Sequence, residues 1–194
     1  ETSFAIEFEG DVKTILGQAY GAVTVSGDGN NCFFRATFGK TTGAQVCLRL
    51  RFLMLLSLGS KRTALEMVQS GFPNGVGNIG SIPSYSKLLA SSSGGGYTGD
   101  EGMLALCEHF GMTFAQFASS GNGGKWYVWT KADNRDKVLD KIEPPTRPRR
   151  SGPDHSGRVL LRYKTVKTEN LTRWVQEMRA GPGELNLVVI GLYH

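Results

Sequence analysis

The chain has 194 residues, of which 40% are apolar, 20% charged and 10% aromatic, a balance that excludes a disordered tail and predicts one globular domain over 1–194 with a sizeable core. Its three cysteines, Cys32, Cys47 and Cys107, form no CxxC pair, which argues against a zinc finger, an iron–sulfur cluster and a disulfide scaffold and points to a reducing, cytoplasmic compartment. The net charge of +5, from 22 Lys and Arg against 17 Asp and Glu, raises nucleic acid as a partner, but much of the excess gathers between Pro144 and Arg150, which reads as a solvated loop rather than a phosphate-binding patch.

The chain starts at Glu1 without Met, and residues 1–11 carry acidic charge where a signal peptide carries basic charge and an apolar run. This predicts a piece of a longer protein, such as a polyprotein, with no secretory route encoded in it. Residues 22–26 form a short run with two valines and a threonine that predicts a strand. Residues 44–58 predict a helix that is apolar around most of its girth, with Val46, Leu50, Leu53 and Met54 on one stripe, hence a buried central helix. Glycine-rich runs at 71–80 and 91–102 predict loops inside the one domain, of the kind that flank binding clefts.

Met103, Leu106, Cys107 and Phe110 recur at i, i+3, i+4 and i+7 ahead of Gly111, which predicts an amphipathic helix with a stop signal. Strands are predicted at 112–118, 125–130, 158–164 and 185–193, and a helix from Thr168 with Leu171, Trp174, Val175 and Met178 on one face, ending at Gly181-Pro182. The longest apolar stretches, 50–58 and 185–193, fall well short of the ~20 residues that span a bilayer. With helices gathered early and strands late, the expected fold is α+β, a small and mainly antiparallel sheet packed between helices.

The segment that stands out chemically is Ser26-Gly27-Asp28-Gly29-Asn30-Asn31-Cys32-Phe33-Phe34-Arg35-Ala36, a turn-rich stretch that delivers Cys32 onto a helix start. A helix's free N–H groups and positive dipole end favour a thiolate there, and the preceding turn adds amides suited to an oxyanion hole at Asp28, Gly29, Asn30, Asn31 and Cys32. Most free cysteines are simply small buried apolar residues, and Cys47 and Cys107, on the apolar faces of predicted helices, read that way. A thiol nucleophile needs a base, and there are three histidines. His109 near a helix end complements the dipole, His155 sits in the Pro/Arg/Gly loop, and His194 follows a rigid apolar strand and is the best candidate.

Taken together, these segments resemble the ovarian tumour (OTU) family of papain-like cysteine proteases. Gly27 to Ala36 is similar to the family's nucleophile motif, Asp-Gly-Asn-Cys followed by aromatic or aliphatic residues, Arg, and Ala or Ser; Tyr97-Thr98-Gly99-Asp100-Glu101 leading to Gly111 resembles its Gly-Asp-Glu helix; Leu187 to His194 resembles the last strands leading to the catalytic histidine. Two departures stand out. Asn30-Asn31 occupies one residue more than the motif has, so the turn is built either with Asp28 in the family's aspartate position and a bulge, or on Asn30 and Asn31. The chain also ends at His194, where the family often places an Asp or Asn two positions on, which leaves Asp28 and Asn186 as candidates for the orienting residue, or a Cys–His dyad.

The resemblance implies a papain-like OTU fold and a deubiquitinase with no metal and no cofactor. On that reading Cys32 attacks the carbonyl at the C-terminal glycine of ubiquitin or a related modifier, His194 moves the proton, and Asp28 is the first candidate for a third catalytic residue, with Asn186 or a Cys–His dyad as the alternatives. It also implies conjugates of such modifiers as partners; the short apolar stretches and the confined basic run add the expectation of no membrane and no nucleic acid partner, and the cysteine usage that of a cytoplasmic setting. A viral or pathogen-encoded member that also cuts its own polyprotein ranks above a host enzyme. The alternative is a non-catalytic module that binds ubiquitin, or RNA through residues 147–150.

Overall fold

The computed structural model describes residues 3–28, 31–39, 103, 106–107, 111–121, 123–131, 134–143, 165–183 and 186–192. Within them the chain forms α1 (Ser3–Leu16), α2 (Cys32–Phe38), β1 (Thr113–Ser120), β2 (Gly123–Trp129), α3 (Arg135–Ile142), α4 (Thr168–Ala180) and β3 (Leu187–Leu192). The residues group into two compact units, one made of Glu1–Val23 and Phe110–His194, the other of Thr24–His109. The class is mixed α+β.

In the first unit the strands order as β2-β1-β3. β1 and β2 are an antiparallel hairpin running from Phe114 opposite Trp129 to Ser120 opposite Gly123. Their two-residue connection uses Gly121 at φ +57, a left-handed conformation that glycine adopts without strain. β3 pairs with the other side of β1 in parallel, Thr113 opposite Leu187 through Ala118 opposite Leu192. The sheet is therefore mixed, which corrects the expectation of a mainly antiparallel one. The reason lies in the connection: the chain leaves β2 and enters β3 at the same end of β1, so β3 opposes β2 and must run with the strand between them.

Alternation along the strands gives the sheet two faces. Ala115 and Phe117 of β1 with Trp126 and Val128 of β2 make one, and they are buried in a single core with Ile15 of α1, Ile142 of α3, Val166, and Leu171, Trp174 and Val175 of α4. Phe114, Gln116, Trp129 and Ile190 on the opposite face are buried too. Inside that second face the Trp129 indole N–H donates to Gln116 Oε1 at 2.6 Å, so neither buried polar group goes without a partner.

α1 docks through residues one turn apart. Phe4 and Phe8 meet Phe117 with ring centroids 4.9 and 5.9 Å away, and Phe8 and Phe117 both meet Trp126, at 5.9 and 5.1 Å. Such ring pairs contribute about 0.5–1.5 kcal/mol each beyond the area they bury. On the same helix face Asp11 Oδ2 accepts the Trp126 indole N–H at 2.7 Å. Two glycines make the ring packing possible. A Cβ at Gly124 would lie 2.0 Å from Phe117 Cζ, and one at Gly191 3.2 Å from the Phe8 ring.

α4 begins and ends where its sequence predicts, with Leu171, Trp174 and Val175 buried. Its arginines then close two other helices. Arg173 donates to the Ile142 carbonyl at the end of α3 (2.8 Å), and Arg179 to the Leu16 carbonyl at the end of α1 (2.6 Å), while the Arg179 guanidinium also lies 5.4 Å from the centre of the Tyr20 ring. Cations placed there satisfy the last carbonyls and oppose the helix dipole.

One predicted strand is absent. Residues 22–26 are irregular and Val23 is 67% exposed; β-branched residues favour a strand only where a neighbour pairs and packs with it, and no described strand pairs with this segment. Met103, Leu106 and Cys107 are helical and buried as their spacing predicts. The helix expected at 44–58, the glycine-rich loops, the basic loop at 144–150 and the strand expected at 158–164 lie outside the described residues. No helix among the described residues is long and apolar enough to cross a membrane.

Candidate functional site

The second unit contains the turn that carries Cys32. The Ser26 hydroxyl oxygen accepts the Asp28 N–H at 3.1 Å, a short side-chain-to-backbone bond of the kind that folds serine turns. Asn31 sits just before the helix, its carbonyl accepting the Arg35 N–H at 2.9 Å in the first helical bond. Its side chain does not cap the helix; the amide Nδ2 reaches back to the Asp28 carbonyl at 3.2 Å. Arg35, one turn into α2, sends Nη1 to the same carbonyl at 3.2 Å and to the Ser26 carbonyl at 2.8 Å.

The Asp28 carbonyl thus holds two donors, the number its lone pairs can accept. Because a trans peptide is planar with C=O and N–H on opposite sides, pinning a carbonyl fixes the plane of the peptide that follows it. Arg35 and Asn31 therefore pull the carbonyls of the turn toward the body of α2.

Cys32 is the first residue of α2, the position that the turn-forming run before it predicts. It is half-buried, carries a free thiol and follows the buried Asn31. Phe33 and Phe34, 2% and 1% exposed, lie edge to face with centroids 5.6 Å apart and anchor this short helix. The Cys32 N–H has no hydrogen-bond partner among the described residues, as befits the start of a helix whose first amides lack intrahelical carbonyls. Cys107, also in this unit, is fully buried, the structural role expected of it.

Of the residues expected to form the site, Asp28, Asn31 and Cys32 are brought together by this turn. Asp28, expected among the oxyanion donors, has its N–H hydrogen-bonded to the Ser26 hydroxyl in this structure. Its exposed carboxylate makes no hydrogen bond with the described residues. Gly29, Asn30, His194, His109, His155 and Cys47 lie outside the described residues. β3 runs to Leu192, two positions before His194.

Asn186, the other candidate for the orienting residue, has a structural task in the first unit. Its Nδ2 donates to the Gly111 carbonyl at 3.3 Å and its own carbonyl accepts the Thr113 N–H at 3.1 Å, tying the entrances of β1 and β3 together. Arg35 is the residue that sequence reasoning left without a role; its signal is its place one turn after Cys32, facing the polar turn. Among the described residues no three His, Cys, Asp or Glu side chains gather as metal ligands would. Comparison of the chain with family models, with curated proteins and with solved structures returns no match.

Proposed function

We propose that this chain is a cysteine peptidase of the OTU type that cleaves after the C-terminal glycine of ubiquitin or a ubiquitin-like modifier, with a Cys32–His194 pair at its centre. The observation that supports this reading best is the half-buried Cys32 thiol at the first position of α2, behind a turn whose carbonyls are drawn back by Arg35 and Asn31. Cys32 Sγ attacks the glycine carbonyl carbon while His194 accepts the thiol proton. The C–N bond breaks, the amine leaves with the proton from His194, and water then releases the acyl group from sulfur.

The tetrahedral oxyanion is held by the N–H of Cys32 and by amides of the 29–31 stretch. Asp28, with its carboxylate exposed beside the turn, orients His194. The substrates are modifier conjugates in the cytoplasm and, in a viral setting, a viral polyprotein.

The test is covalent capture by ubiquitin carrying a thiol-reactive group in place of its C-terminal carboxylate. Capture by the wild type and by Cys107→Ala, with loss in Cys32→Ala and His194→Ala, is the expected result. A wild type that reacts with small haloacetamides at Cys32 yet never with the ubiquitin probe sinks the ubiquitin reading.

A further inference from the structure

We draw no further inference here: the strongest candidate, the Arg35 clamp on the Ser26 and Asp28 carbonyls at the start of α2, belongs to the site already described and has only the hydrogen bonds of that turn behind it.

Discussion

Around Phe117 the first unit is held by aromatic rings from positions 4, 8, 117 and 126, brought together across most of the chain. The turn ahead of Cys32 is held instead by a few polar bonds among residues 26 to 35, several of them solvent-exposed. The first arrangement puts its free energy into burial, so damage there is felt as lost stability. The second contributes little to stability, because exposed hydrogen bonds compete with water, but it sets the direction in which backbone dipoles point. The same loss of one side chain should therefore be read out differently in the two places.

The sharpest test of that contrast is Cys32→Ala, for which hydrolysis of a ubiquitin C-terminal amide should fall by roughly a thousandfold or more while the urea midpoint stays within error of wild type. Next in size is Gly124→Ala. The added methyl has to displace the Phe117 ring, which should cost about 3 kcal/mol in denaturant unfolding and leave haloacetamide labelling of the folded protein at Cys32 unchanged. An unaltered midpoint there would break the account of the ring packing.

For Arg35→Ala the expectation is a drop in kcat of about tenfold with KM little changed, since a misaligned turn weakens transition-state contacts and not substrate docking. Alkylation of Cys32 by a haloacetamide, which builds no oxyanion, should continue at close to the wild-type rate. If hydrolysis and alkylation fall together, the clamp supports the helix and not the turn. Trp126→Phe keeps a ring but removes the donor to Asp11, and about 1 kcal/mol of stability should go with it. Smallest is Arg179→Ala, where losing the cation at the end of α1 should lower stability by about 0.5–1 kcal/mol, a difference that shrinks as salt is added.

How far the sequence could be read follows the same division. α4, β1, β2 and β3 announce themselves by period and by punctuation at Gly and Pro, because burial of one face or both leaves a pattern in apolar residues. α1 was legible in principle, with Phe4, Phe8, Val12 and Ile15 on one stripe, but Gly10 and the acidic residues between them obscure it. α3 offers only Val138, Leu139 and Ile142, too short a window for a helical period to emerge. Residues 22–26 show the reverse failure, a strand-like composition with no described strand beside it.

At the candidate site the position of Cys32 was legible because Asp, Gly and Asn in succession specify a turn by local chemistry. The Arg35 bonds were not. A charged side chain reaching back nine residues to a carbonyl leaves no periodic trace, and neither does the parallel alignment of β3, which depends on where a long connection returns.

The Asp11–Trp126 bond joins residues 115 positions apart and the Arg179–Leu16 bond residues 163 apart. At about 5–20 residues per second on a ribosome, Leu16 waits on the order of 10 to 30 s before Arg179 exists to close its helix. A lone helix of 14 residues is marginal in water, and Phe4 and Phe8 stay without their ring partners until Phe117 and Trp126 have been made. The apolar face of α1 is thus a segment made long before the strands that cover it, and its exposure during synthesis is set by sequence separation and not by the stability of the finished fold.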